Sequence, residues 1–317
     1  MFEQLHGEIV GVSESAQALR CFVEGAARST DPVALTGEPG SGKELTAKRI
    51  HELSARRKGP FLMIDCSLYY ERELKRELFG YVCLGAGEKQ RKGLLEFANR
   101  GTCYMSRIEE LSPGIQANLL EFLSSGRFVR LGDGKEICSG VRLIVSSDKN
   151  LDGFVQAGLF DASLYGALAK LTVRLSPLRE RKEDIPQVVQ ALVNSFCAEH
   201  EVKAPTVFWP DALEALQAYP WPANFEELKR EIVRLLESGL VSIRPENLSM
   251  EIASYWLGQR GDPEVRKVLE ELDGHIREFL VLSRLEAGLG DVFTLAKDEA
   301  FEVRSTHARR DGEAFKL

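Results

Sequence analysis

The chain has 317 residues, a formal net charge of −7 at pH 7, 44% hydrophobic residues and 28% charged residues. This composition is ordinary for a globular protein, and the negative charge argues against a surface that binds nucleic acid or anionic membranes throughout. The N-terminus has neither a basic start nor an apolar core, and no apolar stretch approaches the length of a bilayer-spanning helix, so the sequence predicts a cytoplasmic protein without membrane contact.

Over the first 176 residues, apolar runs rich in β-branched residues alternate with segments of helical periodicity. Strands are predicted at residues 33–36, 61–65, 102–105, 141–146 and 171–175, and helices at 15–27, 43–53, 71–78, 115–123 and 151–157. Strands that alternate with helices predict an α/β fold, a three-layer α/β/α arrangement with a parallel sheet. An Asp-Gly turn within residues 131–135 predicts a hairpin before the fourth strand.

After Pro177 the pattern changes to helices only. They are predicted at residues 183–198, 211–219 and 224–237, the last two separated by a rigid turn at 219–222. The sequence therefore predicts an α/β subdomain over residues 1–176 and a small helical lid over 177–257. A linker at 258–263 and a helical C-terminal extension with a polar tail at 264–317 complete the prediction.

A glycine-rich loop lies between the first predicted strand and the helix that follows it. It reads Gly37-Glu38-Pro39-Gly40-Ser41-Gly42-Lys43, and Glu44 comes next. Backbone amides of such a loop at a helix N-terminus bind anions, and the lysine adds a positive charge. The loop with Glu44 is therefore the predicted nucleotide-binding site. The alternative is a loop whose glycines serve only the strand–helix turn.

Four motifs place the chain near one family. They are Gly37-Glu38-Pro39-Gly40-Ser41-Gly42-Lys43-Glu44-Leu45, Glu77-Leu78-Phe79-Gly80, Pro177-Leu178-Arg179-Glu180-Arg181 and Tyr219-Pro220-Trp221-Pro222-Ala223-Asn224. In their order and spacing the chain resembles the AAA+ domain of sigma-54-dependent transcriptional activators, the bacterial enhancer-binding proteins, roughly from residue 9 to residue 236. The resemblance implies a P-loop AAA+ domain that binds ATP or ADP, with Ile9 and Val10 against the base. An ordinary core contact of these two residues stays open.

The chain departs from this family at the positions that hydrolyse ATP. Ser106 and Arg107 stand where the family has Asp-Glu, to hold magnesium and to polarise water. Serine is a poor substitute for the first role, and arginine cannot accept a proton. Asp161 and Ala167 stand at the arginine-finger positions, and Glu226 stands at the lid's sensor arginine. These losses predict binding without hydrolysis, with no catalytic residue, no metal ligand and magnesium in doubt. The sequence does not decide whether the chain is an enzyme, and the lost residues favour its not being one.

Milder departures lie next to these positions. Asp148 replaces the family's Asn after the fourth strand, and Asp65 replaces an Asn after the second strand. Arg107 has two interpretations. It replaces the charge of magnesium beside the phosphates, or it is a surface arginine paired with Glu109 or Glu110.

The prediction of partners depends on the family motifs that this chain lacks. In the family, the segment after the Glu-Leu-Phe-Gly motif contacts sigma-54. Here the segment after Gly80 is short and has no Phe-Thr pair, and Gly85-Ala86 is the remnant of the family's segment. Direct remodelling of sigma-54 is therefore not expected. Residues 264–317 lack the helix-turn-helix signature of the family. We expect a role in transcription regulation through protein contacts, by self-association or with a catalytically complete AAA+ relative. The alternatives are a slow ATPase active only in a mixed oligomer and an interaction scaffold that binds no nucleotide.

The chain contains six cysteines, scattered and without Cys-x-x-Cys spacing. This pattern predicts buried reduced thiols and argues against a metal site.

Overall fold

The computed structural model describes residues 9–83, 89–200 and 206–260. Its elements in chain order are α1 (Glu14–Arg28), β1 (Val33–Thr36), α2 (Lys43–Leu53), β2 (Phe61–Asp65), α3 (Glu71–Phe79), β3 (Gly80–Cys83), β4 (Lys89–Lys92), α4 (Leu94–Phe97), β5 (Thr102–Ser106), α5 (Pro113–Ser125), β6 (Arg127–Val129), β7 (Glu136–Cys138), β8 (Arg142–Ser147), α6 (Leu151–Gln156), α7 (Ala162–Leu168), β9 (Leu171–Arg174), α8 (Ile185–Glu199), β10 (Val207–Phe208), α9 (Pro210–Ala218), α10 (Asn224–Glu237), β11 (Ser242–Ile243) and α11 (Met250–Arg260).

Five parallel strands form the central sheet in the order β2-β5-β8-β1-β9. All five match predicted strands to within one residue at each end. The carboxyl ends of parallel strands meet at one edge of a sheet, where ligands of open α/β sheets bind. The segments that follow β1, β2, β5 and β8 therefore come together at this edge.

Apolar clusters cover both faces of the sheet. One contains Cys103 and Met105 of β5 with side chains from α3, α5 and α7, and the other contains Tyr104 of β5 with side chains from α1 and α2. Successive side chains of a strand point to opposite faces, so β5 contributes to both clusters. This arrangement confirms the predicted three-layer α/β/α fold with a parallel sheet.

The described residues form two compact units. One contains the residues up to Ala191 together with Trp221–Lys229, and the other contains Leu192–Pro220 and the residues from Arg230 on. In the second unit β10 and β11 pair in parallel over two residues each, so the expectation of helices only after Pro177 is wrong. Helix α11 ends at Arg260, within the predicted linker. The C-terminal extension lies outside the described residues, and the domain division stays a prediction.

Two hairpins and the short helix α7 also belong to the first unit. Antiparallel β6 and β7 flank residues 131–135, which confirms the predicted hairpin. Antiparallel β3 and β4 flank residues 84–88, so the Gly85-Ala86 remnant lies outside the described residues. Helix α7 was not predicted, because its short apolar run has no strong periodicity.

The thiols divide between core and surface. Cys66 and Cys103 are buried, and burial raises the pKa of each thiol to about 12. Cys21 and Cys138 are exposed, so the prediction of buried thiols is wrong for these two. Among the described residues, no helix is long and apolar enough to span a membrane.

Candidate functional site

The loop between β1 and α2 has a backbone that glycine adopts most easily. Gly40 has a φ of +72°, and Gly42, the residue before α2, has a φ of +98°. Helix α2 begins at Lys43, and the amides of a helix's first turn have no acceptor within the helix. The buried Oγ of Ser41 has no hydrogen-bond partner among the described residues. The loop therefore presents amides and one hydroxyl that suit an anion such as a phosphate.

Lys43 is buried, and its ammonium makes three short contacts. Nζ donates hydrogen bonds to the carbonyl oxygens of Gly37 and Glu38, at 2.7 Å each. Nζ also forms an ion pair with Asp148 Oδ1 at 2.7 Å. Asp148 follows β8, the neighbour of β1 in the sheet, so strand order brings this carboxylate to the P-loop lysine.

The turn before α10 holds the glycine-rich loop in place. The side-chain amide of the buried Asn224 donates to the carbonyl oxygen of Pro39 at 3.0 Å and to the Glu38 carboxylate at 3.2 Å. Its Oδ1 accepts from the backbone N–H of Leu178 at 2.8 Å. A Cβ on Gly40 would lie only 2.2 Å from the carbonyl oxygen of Ala223, so this close approach requires glycine.

Two arginines of the 177–181 motif also contact the loop, a role that the sequence did not assign to them. Arg179 donates to both carboxylate oxygens of Glu38, at 2.5 and 2.6 Å, and this interaction holds the pKa of Glu38 at about 2. The buried Arg181 donates to the carbonyl oxygen of Ser41 at 3.1 Å, and its guanidinium lies 4.4 Å from the ring centre of Phe225. Burial lowers the pKa of Arg181 to about 10, so it stays charged at neutral pH.

The end of β5, where the family has its hydrolytic acids, instead holds an ion pair. Arg107, with a φ of +53°, donates through Nε to Asp65 Oδ1 at 2.8 Å, and its Nη2 contacts Asp65 Oδ2. The predicted pairing with Glu109 or Glu110 is therefore wrong. Asp65 lies opposite Ser106 in the β2–β5 register, which places Arg107 beside Asp65.

The two neighbouring glutamates have other partners. Glu109 is buried, and its Oε1 accepts from the backbone N–H of Asp148 at 3.1 Å. Its Oε2 has no hydrogen-bond partner among the described residues. Glu110 forms an ion pair with Lys149 at 2.8 Å. These contacts fix the turn after β8 that carries Asp148.

The segment proposed to contact the base lies against the first unit's core. Ile9 packs against the apolar cluster of α1 and α2, and its carbonyl oxygen accepts from Arg20 at 2.9 Å. Val10 is half-buried. The buried Asp184 accepts three hydrogen bonds at 2.7 Å, two of them from Ser13, and so anchors this segment. Contact with a base stays a prediction for both residues.

At the positions where the family has catalytic arginines, this chain has residues with other structural surroundings. Asp161 caps helix α7, because its carboxylate accepts from the backbone N–H of Leu164 at 2.7 Å. Ala167 lies within the same helix. Glu226 lies in the first turn of α10, and its Cβ is 3.5 Å from the place that a Cβ on Gly40 would occupy. A carboxylate side chain thus stands beside the loop.

The donor set fits a nucleotide better than it fits a divalent metal. The loop has amides, a buried hydroxyl and the Lys43 ammonium, which are groups that bind phosphate. Magnesium prefers carboxylates and phosphate oxygens in octahedral geometry. A magnesium ion bound with a nucleotide takes one or two protein carboxylates beside the phosphates, and at this edge the carboxylates of Asp65 and Asp148 are paired with Arg107 and Lys43. Arg107 brings a positive charge to the strand end where a metal would bind.

Comparisons with known proteins agree with this geometry. A family described as "Sigma-54 interaction domain" matches residues 9–174, and one described as "AAA+ ATPase lid domain" matches residues 179–255. A Nif-specific regulatory protein of Herbaspirillum seropedicae is 35% identical over 228 residues, which cover 71% of this chain and 42% of that protein. The nitrogen assimilation regulatory protein NtrX of Azorhizobium caulinodans is 35% identical over 228 residues, with 72% and 50% covered.

Solved structures of NtrX from Brucella abortus have a similar fold. The complex with ADP has a TM-score of 0.70 at 27% identity and covers 89% of this chain and 69% of that chain. The complex with ATP has a TM-score of 0.69 at 28% identity, with 89% and 63% covered. The chain spans about half or less of the length of the curated relatives that it matches.

Proposed function

We propose that this chain, which belongs to the sigma-54 interaction domain family of AAA+ proteins, binds an adenine nucleotide and does not hydrolyse it. The family has a nucleotide-binding AAA+ fold and contains sigma-54-dependent transcriptional regulators. Its structural relative NtrX binds ADP and ATP, which supports the same ligand class here. The residues proposed to bind it are Gly37, Glu38, Pro39, Gly40, Ser41, Gly42, Lys43 and Glu44, with Ile9 and Val10 on the base.

The Arg107–Asp65 ion pair is the observation that carries the loss of hydrolysis. ATP hydrolysis needs a group that orients or deprotonates the attacking water. A guanidinium is always protonated and has no acceptor, so Arg107 cannot do this. The carboxylate of Asp65 is occupied by Arg107, and the nearby Glu109 is buried against the backbone of Asp148.

Binding is supported by the construction of the loop. The first turn of α2 and the buried hydroxyl of Ser41 point to an anionic ligand. Asn224 and Arg181 hold the loop from the side of α10 and the 177–181 motif. A loop kept only for its turn would not need contacts from two distant segments, which favours a ligand site over a retained turn.

The role in transcription regulation follows from the family and is proposed to run through protein contacts. A subunit that binds a nucleotide without hydrolysing it can join an oligomer without contributing ATP hydrolysis to it. The proposed partner is a second copy of this chain or a catalytically complete AAA+ relative. Direct remodelling of sigma-54 is not part of the proposal.

Calorimetric titration of the full chain with ADP and ATP tests binding. Lys43→Ala removes a charge-assisted contact worth about 2 kcal/mol, so we expect about thirtyfold weaker binding. Lys48→Ala removes a lysine from the same helix α2 and should leave the affinity unchanged. Added magnesium should not strengthen binding, because no carboxylate stands at Ser106 or Arg107 and Asp65 is paired with Arg107.

Phosphate release from ATP tests the second half of the proposal. We expect no release above the level of Lys43→Ala. Magnesium-dependent release that Lys43→Ala abolishes would establish a slow ATPase instead. Failure of the wild-type chain to bind either nucleotide would favour the scaffold.

A further inference from the structure

We propose that the P-loop site selects a nucleoside diphosphate over a triphosphate, and that the carboxylate of Asp148 is the discriminating group. The inference rests on the proposed function, since it names the ligand that the same loop prefers. Its starting point is the ion pair of 2.7 Å between Asp148 Oδ1 and Lys43 Nζ, with side chains 20% and 8% exposed.

The position of this carboxylate is what makes it selective. A P-loop lysine contacts the β- and γ-phosphates of a bound nucleotide. The carboxylate of Asp148 already pairs with the ammonium of Lys43, so the terminal phosphate of a triphosphate would approach a negatively charged group. A partly buried site screens this repulsion less than bulk water does. A diphosphate carries one negative charge fewer and ends before the γ position.

Asp148 is also held where it is by its surroundings. Its backbone N–H donates to Glu109 Oε1 at 3.1 Å. Within the same turn, Ser147 Oγ donates to the carbonyl oxygen of Lys149 at 2.8 Å and accepts from the Lys149 N–H at 3.0 Å. The buried Glu109 adds a second carboxylate behind the turn. These hydrogen bonds fix the backbone at Asp148, and the ion pair with Lys43 Nζ holds its carboxylate at the loop.

The basic side chains at this edge already have acidic partners. Lys149 pairs with Glu110 at 2.8 Å, and Arg107 pairs with Asp65. In EDTA, no divalent cation neutralises the charge of the triphosphate. The extra charge of ATP thus meets Asp148 without compensation from these groups, whereas the loop amides serve both nucleotides equally.

Calorimetric titration of the full chain with ADP and with ATP, in EDTA, tests the selectivity. We expect ADP to bind about tenfold more tightly than ATP, which corresponds to about 1.4 kcal/mol. Asp148→Asn keeps the shape of the side chain and removes its charge, so the ADP-to-ATP ratio should fall towards one. Glu136→Gln removes the charge of a carboxylate in the β6–β7 hairpin that pairs with Arg127, and should keep the wild-type ratio.

The outcomes separate this inference from the proposed function. Equal or tighter binding of ATP by the wild-type chain would overturn the selectivity and leave nucleotide binding intact. A tenfold preference that Asp148→Asn does not change would also overturn it, because another group would then be responsible. Absence of binding by both the wild type and Asp148→Asn would overturn the proposed function and the selectivity together. Thermal unfolding of each variant confirms that it is folded.

Discussion

Replacement of Asn224 by alanine tests how far the glycine-rich loop depends on its clamp. The substitution leaves the buried N–H of Leu178 without an acceptor, which costs about 2 kcal/mol, and removes the hydrogen bonds to Pro39 and Glu38, worth about 1 kcal/mol together. Alanine must also adopt the φ of +54°, which costs about 1 kcal/mol more. The expected loss in the free energy of unfolding of the first unit is therefore about 4 kcal/mol.

Urea unfolding followed by tryptophan fluorescence measures this loss. With a slope of about 2 kcal/mol/M, the midpoint should fall by about 2 M. Asn224→Gly is the matched control, because it loses the same hydrogen bonds but tolerates a positive φ, and it should be less destabilising by about 1 kcal/mol. Nucleotide affinity should fall in both variants, since the loop loses its support. A midpoint within 0.5 M (about 1 kcal/mol) of the wild type in Asn224→Ala would refute the clamp.

Two further predictions concern the same loop. Gly40 and Gly158 both have positive φ, but only at Gly40 would a Cβ lie against backbone. Gly40→Ala should therefore destabilise the first unit by about 2 kcal/mol more than Gly158→Ala in urea unfolding. Equal losses would contradict this prediction. The folded-state pKa of Glu38, about 2 against an ordinary 4.5, means that its pair with Arg179 stabilises the fold above pH 4.5 and loses this effect as pH falls towards 2. Because both side chains are more than a third exposed, solvent screens the pair and the effect should be small. It should shrink in salt and disappear in Glu38→Gln, and identical pH profiles of the two proteins would contradict it.

The fold was predictable because its signals are local. The strands are apolar runs of four to six residues, and the glycine-rich loop is a continuous motif between a strand and a helix. The three-layer arrangement followed from the alternation of strands and helices. The short helix α7 is not predictable in this way, because its apolar run has no strong periodicity and its N-cap, Asp161, also stands at a position of a lost arginine.

The charge pairs of the site were not predictable in the same way. The sequence offers Glu109 and Glu110 as partners of Arg107, but its partner in the structure is Asp65, on the neighbouring strand of the sheet. Lys43 and Asp148 meet for the same reason, across β1 and β8. Strand order decides both pairs, and no residue pattern within a single element specifies it. Asp65 ends one predicted strand and Asp148 follows another, and these positions are the available signal in the sequence.

The most direct test of a nucleotide site without hydrolysis is the fate of ATP bound to the chain. The protein, in excess over γ-labelled ATP and with magnesium present, is incubated, quenched and analysed for bound ATP, ADP and released phosphate. Arg107 stands in place of a water-activating carboxylate and holds Asp65 in an ion pair, so bound ATP should be recovered intact, as in the Lys43→Ala control mixture. Conversion of the bound ATP to ADP and phosphate by the wild type alone would contradict the proposed function.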